Sequence, residues 1–125
     1  MAIRPTIFAL ILNEQSTALY TATLHDERAA VIGSGRMDTL TLTLCNMVDG
    51  AIINSRNAQD VLNLNNVTLD ASGNLEFVLQ PADTAMQDGT ARTEIHRAIF
   101  QAAYDGGKQA NWDVDFRIRN LTKVV

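Results

Sequence analysis

Two histidines and one cysteine are the residues of this sequence that could act as a general acid, a general base or a nucleophile. His25 is followed by two acidic residues, and His96 lies between Glu94 and Arg97. Neighbouring side chains along a strand point to opposite faces, so adjacency alone does not assemble a catalytic site. Cys45 has no Cys-His motif beside it, whereas a thiol nucleophile needs a base and an electropositive setting. We therefore predict surface or structural roles for the histidines and the cysteine.

Cation binding is a second possible chemistry, because Asp105, Asp113 and Asp115 could converge if a hairpin brought them together. Carboxylates on one face of a strand are usually solvated, however, and do not by themselves make a cation site. The sequence contains no P-loop, HExxH or CxxC motif, and Gly33-Ser34-Gly35 is not followed by the helix that a phosphate cradle requires. The sequence thus predicts no enzymatic activity, no metal site and no cofactor.

The composition limits the size of the protein and the class of its partners. The chain has 125 residues, of which 46% are hydrophobic and 19% charged, values typical of one globular domain. A net charge of −4 argues against a nucleic-acid partner, because phosphate binding depends on clustered basic residues. The apolar stretch near the start has six residues, too few to cross a membrane. The single cysteine cannot close an intrachain disulfide, so we expect synthesis in a reducing cytoplasm and no export.

Hydrophobic residues recur with a period of two, which is typical of half-buried strands. Leucines alternate with threonines over residues 39–44, and further alternating segments begin at Tyr20 and Leu75. Residues 54–65 are predicted to hold a short helical turn or an edge strand, and residues 81–86 a helical turn that begins with proline. About seven strands separated by glycine-containing turns predict an all-β fold, a two-layer antiparallel β-sandwich.

The segment near the C-terminus alternates more regularly than the others. Its apolar positions are Trp112, Val114, Phe116 and Ile118. The positions between them form what we call the charged strand face: Asp113, Asp115, Arg117 and Arg119. Two acids and two bases on one face are expected to cancel one another's field, and such a mixed face suits a protein neighbour. We predict that this face sets the register of contact between subunits.

The N-terminal extension, residues 1–16, does not follow the alternation of the domain predicted for residues 17–125. It contains a continuous apolar run whose candidate partner-binding residues are Ile7, Phe8, Leu10, Ile11 and Leu12. One interpretation is a strand or helical turn packed on its own domain, because periodicity cannot assign so short a run. The other is an arm that docks on a neighbouring subunit, because an uncovered apolar run promotes aggregation.

Four segments occur in a characteristic order: a strand, a D-x-x-G turn with an aromatic strand, a Q-P-x-D-T corner, and a returning hairpin. The segments are Leu40-Thr41-Leu42-Thr43-Leu44, Asp70-Ala71-Ser72-Gly73-Asn74-Leu75-Glu76-Phe77, Leu79-Gln80-Pro81-Ala82-Asp83-Thr84, and Glu94-Ile95-His96-Arg97-Ala98-Ile99-Phe100 running into Tyr104-Asp105-Gly106-Gly107. This pattern resembles the small immunoglobulin-like domains of tailed-bacteriophage virions, including the N-terminal domain of baseplate upper proteins. The whole chain is similar to phage proteins of comparable length.

The resemblance implies an immunoglobulin-like β-sandwich and a non-enzymatic virion protein that is made in the host cytoplasm and present in many symmetric copies. Its expected partners are tail, neck, portal-adaptor or capsid subunits. Three functions stay open: a tail, neck or baseplate component that connects neighbouring proteins, a capsid decoration (cement) protein, and a glycan-binding or carbohydrate-active module on the same fold. The last needs aromatic stacking platforms, for which the candidates are Trp112, Tyr20 and Tyr104.

Overall fold

The computed structural model describes residues 4–5 and 11–123, and the prediction of an all-β protein is confirmed for this part of the chain. Within it nine strands, numbered in chain order, are β1 Arg4–Pro5, β2 Ile11–Asn13, β3 Ala18–Thr23, β4 Met37–Asn46, β5 Gln59–Asp60, β6 Val67–Leu69, β7 Asn74–Leu79, β8 Thr93–Tyr104 and β9 Lys108–Arg119. A short 3-10 helix, Leu121–Lys123, follows β9. Among these residues no helix has the length and apolar character needed to cross a lipid bilayer.

The strands form two sheets whose inner faces share one hydrophobic core, a sandwich-like arrangement. The four-stranded sheet has the order β1-β3-β7-β6, and the five-stranded sheet has the order β2-β9-β8-β4-β5. Neighbouring strands are antiparallel except for β2, which runs parallel to β9. The hairpin of β8 and β9 pairs without interruption from Thr93 opposite Arg119 to Tyr104 opposite Lys108. These two strands, of 12 residues each, are therefore the longest in the five-stranded sheet.

Alternation along the strands builds the core. The three leucines of β4 are fully buried, as their spacing predicts. Tyr20 of the four-stranded sheet and Phe100 of the five-stranded sheet have ring centroids 6.0 Å apart, and Phe100 stacks on Trp112 at 5.0 Å. Trp112 Nε1 donates to the Tyr20 hydroxyl oxygen at 3.2 Å, and burial raises the pKa of Tyr20 to about 12. These three rings join the two sheets.

The two polar segments adopt different structures. Residues 54–65 contain the edge strand β5, one of the two predicted alternatives. Residues 81–86, predicted as a helical turn, contain one hydrogen-bonded turn at Pro81, in which Asp83 N–H donates to the Gln80 carbonyl at 2.8 Å, and no helix. The Asp83 carboxylate in turn accepts the Gln80 N–H at 2.7 Å and the Asn54 side-chain amide at 2.9 Å. Hydrogen bonds to the inward-pointing Asp83 carboxylate, rather than those of a helix, therefore stabilise the corner.

A buried ion pair between Arg56 and Asp83 holds this corner. Arg56 Nε and Nη2 donate to the two carboxylate oxygens at 2.6 and 3.0 Å, and the side chains are only 2% and 0% exposed. Arg56 also donates to Gln59 Oε1 at 2.8 Å and to the Asn65 carbonyl at 2.9 Å, and its guanidinium lies 5.1 Å from the Phe77 ring centroid. Buried charges are tolerated only when paired and hydrogen-bonded. The pair thereby fixes the segment after β4 to the corner after β7.

His96 and Glu94, two residues apart on β8, both point into the protein beside this corner. The fully buried His96 bonds through Nδ1 to the Asp83 carbonyl at 2.9 Å and through Nε2 to the Glu94 carboxylate. The same carboxylate accepts the N–H groups of Gln87 and Asp88, each at 2.9 Å. His96 thus has the structural role predicted for it, and the pair fastens the loop between β7 and β8.

Replacing Asp83 with alanine is expected to destabilise the fold by about 3–5 kcal/mol, because the Arg56 guanidinium would stay buried without its counterion. Urea denaturation followed by circular dichroism measures this change. Glu76→Ala is the matched control, since the Glu76 side chain on β7 is exposed, and it should change the free energy of unfolding by no more than about 0.5 kcal/mol. Equal stability of the two variants would contradict a dominant role for the buried pair.

Candidate functional site

The side of the five-stranded sheet that points away from the core, here called the outer face, carries the predicted charged strand face. Asp113, Asp115 and Arg117 are exposed and Arg119 is half-buried, while the residues between them are buried in the core. The alternation of β9 is therefore confirmed along its C-terminal half. The outer face carries charged and polar side chains together with the half-buried Ile95 and Ile99 of β8.

Arg97 on β8 binds the two acids of this face. It lies directly across from Asp115, and its Nε and Nη2 donate to the two carboxylate oxygens at 2.8 and 3.1 Å. The nearest Asp113 oxygen is 3.7 Å from the same Nε. Asp115 is thus paired from the neighbouring strand, with Asp113 at the edge of the same contact, by a residue that the sequence analysis did not connect with them.

The two arginines of the charged strand face have no carboxylate within 4.0 Å among the described residues. Arg119 Nε donates instead to the Asn13 side-chain oxygen at 3.1 Å. The predicted cancellation of charge along β9 is therefore wrong in detail, because residues two apart on a strand are farther from each other than from their cross-strand neighbours. Arg97 with Asp113 and Asp115 leaves one negative charge on the outer face, which is positive at Arg117 and Arg119.

The N-terminal run is described only in part. Ile7, Phe8 and Leu10 lie outside the described residues. Ile11 and Leu12 lie in β2, opposite Arg117 and Ile118 of β9, where Ile11 is 50% exposed and Leu12 packs partly on the core. Arg4–Pro5, on the other side of the run, pairs with β3 in the opposite sheet. Both described flanks of the run are therefore hydrogen-bonded to strands of their own chain.

A shallow depression lies at one end of the outer face. It is lined by hydroxyl and amide groups of Thr39, Thr41, Gln101, Gln109 and Asn111. No aromatic side chain takes part in this lining. The depression offers hydrogen bonds but neither a reactive group nor a stacking surface.

The candidate stacking residues are all buried. Trp112, Tyr20 and Tyr104 are 6%, 0% and 3% exposed, and the first two bond to each other inside the core. Rings in these positions hold the sheets together and present no face to a sugar. The structure therefore gives no support to the carbohydrate-binding alternative.

The residues considered for chemistry do not come together. The half-buried Cys45 lies on the outer face of β4 beside Arg97, away from both histidines. Asp105 bonds to Arg36 at the turn after β8, whereas Asp113 faces Arg97. In residues 4–5 and 11–123 no three His, Cys, Asp or Glu side chains are grouped as metal ligands.

Gly33, in the segment considered as a phosphate cradle, has a packing explanation. A Cβ at this position would lie 2.2 Å from the carbonyl oxygen of Ala71, so only glycine allows this approach. Ser34 N–H donates to the Asp70 carbonyl at 3.0 Å, which ties the segment to the turn before β7. The Ser34 N–H, which a phosphate cradle would direct at its ligand, is therefore hydrogen-bonded within the chain.

Comparison with known proteins does not assign the chain to a family. No model of a known protein family matches the chain. A comparison with curated protein sequences likewise finds no match.

A second charged cluster surrounds the turn between β8 and β9. Asp26 accepts the N–H groups of Ala30 and Arg28 at 2.9 and 2.8 Å, and its other oxygen lies 2.9 Å from Arg36 Nη2. Arg36 also pairs with Asp105 in the turn. The N–H of Ala30, followed by those of Arg28 and Arg36, lowers the pKa of Asp26 to about 2. This cluster joins the segment between β3 and β4 to the β8–β9 turn.

Stability is expected to fall as the pH is lowered from about 4 to about 2, because unfolded Asp26 binds a proton near its ordinary pKa of 3.8 while folded Asp26 stays ionised to about 2. Over that range the unfolded chain binds more protons, so acid favours unfolding. Asp26→Asn should reduce this acid dependence in urea denaturation at stepped pH values. Glu76→Gln, at an exposed position on β7, is the control. An acid dependence unchanged in Asp26→Asn would contradict the assignment.

Proposed function

We propose that this protein is a non-enzymatic structural component of a tailed-bacteriophage particle, most simply a tail, neck or baseplate protein that connects neighbouring virion proteins through an immunoglobulin-like domain. The order of the strands is the observation that carries this proposal. Immunoglobulin-type sandwiches have strands A, B, E and D in one sheet and C, F and G in the other, with C′ added beside C in larger variants. The sheet orders β1-β3-β7-β6 and β2-β9-β8-β4-β5 are compatible with A-B-E-D and A′-G-F-C-C′, with the first strand divided between the sheets, and this supports the immunoglobulin-like part of the proposal.

The surface chemistry supports a connecting role. The depression described above is shallow and polar, and the ion pairs lie in the core, as Arg56 with Asp83, or on the outer face, as Arg97 with Asp115. A face of mixed charge favours recognition of a complementary protein surface, in which the charges set orientation more than affinity. The resemblance of the strand, corner and hairpin segments to phage immunoglobulin-like domains supplies the expected partners, which are other virion proteins.

Quantitative mass spectrometry of purified particles should find the protein as a stoichiometric component. Roughly a dozen copies per particle, matching the rotational symmetry of a tail axis, would support the tail, neck or baseplate assignment. Hundreds of copies would instead support a capsid decoration protein, the second function that the resemblance allows. Absence of the protein from intact particles would contradict both.

Replacing Ile7, Phe8 and Leu10 together with serine tests the N-terminal run as a partner-binding segment. If the run docks on a neighbouring subunit, the purified variant should unfold at the same temperature as the unsubstituted chain but no longer enter particles. The control is Leu12→Ser, which removes an apolar side chain packed on the chain's own core and should lower the unfolding temperature. Unchanged incorporation of the triple variant, or a lowered unfolding temperature, would contradict docking on a neighbour.

A further inference from the structure

On the outer face, the rows of residues on either side of Arg97 and Asp115 have the same layout but carry charges of opposite sign. Three rows cross the sheet at successive levels, as the strand registers define them. The acidic row is Thr43, Ile99 and Asp113, the central row is Cys45, Arg97 and Asp115, and the basic row is Ile95 and Arg117. Each outer row thus carries one isoleucine on β8 and one charge on β9, and the charges have opposite sign.

This arrangement is self-complementary under a two-fold rotation. The rotation axis lies parallel to the sheet, perpendicular to the strands and above the central row. Rotation about it reverses the direction of the strands in the second copy and places β9 of that copy above β9 of the first. It therefore places the acidic row of one molecule over the basic row of the other, and the reverse. Contacts of this isologous kind always occur in identical pairs, so each complementary contact is made twice.

We propose that a second copy of this chain docks face to face on the outer face, about the two-fold axis above Arg97 and Asp115. This inference rests on the proposed function, in which the chain acts as one of many copies. Asp113 pairs with Arg117 of the second copy, and Ile99 packs on Ile95 of the second copy. The facing sheets stand about 10 Å apart, the usual spacing for sheets packed through their side chains.

The charges available for this contact are those that the chain does not use internally. Asp115 and Arg97 form an ion pair across β9 and β8, so the central row, in which each residue faces its own copy across the axis, carries no net charge, and the orienting contacts are those of the two outer rows. Asp113 is 59% exposed, and its nearest cation, Arg97, is 3.7 Å away and binds Asp115 more closely. Arg117 has no carboxylate within 4.0 Å among residues 11–123. Two symmetric pairs therefore satisfy both residues in both copies.

The same charges disfavour other occupants. A nucleic acid would meet the carboxylates of Asp113 and Asp115 in the middle of the face, and repulsion of phosphate opposes such binding. The half-buried Ile95 and Ile99 add apolar contact on either side of Arg97, which a second copy covers with the same two side chains. Charge sets the orientation of this contact, and the isoleucines and threonine methyl groups supply the area that is removed from water.

Sedimentation equilibrium of the purified chain and of charge-reversal variants tests the proposal. The unsubstituted chain should form a dimer. Asp113→Arg and Arg117→Asp should each weaken dimerisation at least about tenfold, because one substitution creates two like-charge contacts by symmetry. The double variant Asp113→Arg/Arg117→Asp should restore the dissociation constant to within about threefold of the original, since the two reversed charges again face each other.

Two exposed charges elsewhere are the matched controls. Glu76→Arg lies on the outer side of the four-stranded sheet, and Arg92→Asp lies in the loop before β8. Both should leave the dissociation constant unchanged, and circular dichroism confirms that each variant is folded. A chain that stays monomeric at every concentration, single reversals without effect, or a double variant that fails to recover would overturn the proposal. These outcomes concern the purified chain in solution, so failure here is distinct from absence of the protein from particles.

Discussion

The buried ion pair of Arg56 and Asp83 is the interaction on which the rest of the structure depends. It joins two stretches without continuous regular structure, the segment between β4 and β6 and the corner after β7. Two charges out of water are stable only with complete hydrogen bonding, which demands one precise arrangement of Gln59, Asn65 and Gln80 around them. The pair therefore specifies where the loops lie, while burial of apolar side chains supplies the driving force for folding.

From this corner the polar network continues to the long hairpin. The Asp83 carbonyl accepts a bond from His96, and Glu94 holds the backbone of the following loop. On the opposite side of the same strand, Arg97 faces solvent and binds Asp115. One strand thus carries hydrogen-bonded polar residues inward and a solvent-facing ion pair outward, and the period of two keeps the two sets apart.

Much of the fold follows from the sequence, since the alternations around Leu42 and along β9 predict the strands and their buried sides. The corner was harder to predict, because proline at the start of residues 81–86 indicates a helical turn while the inward carboxylate of Asp83 decides the outcome. The spacing of Glu94 and His96 was a usable signal, since residues two apart share a strand face. The pairing of Arg97 with Asp115 depends on the register between β8 and β9, which no local pattern contains.

The parallel pairing of β2 with β9 also has a mechanical consequence. Ile11 to Asn13 runs in the same direction as Arg117 to Arg119, so the chain entering β2 and the chain leaving β9 extend from opposite ends of this short pairing. Tension applied through those two connections would shear the hydrogen bonds together instead of opening them one after another. Such a shear geometry resists stretching more than one in which the hydrogen bonds open in sequence.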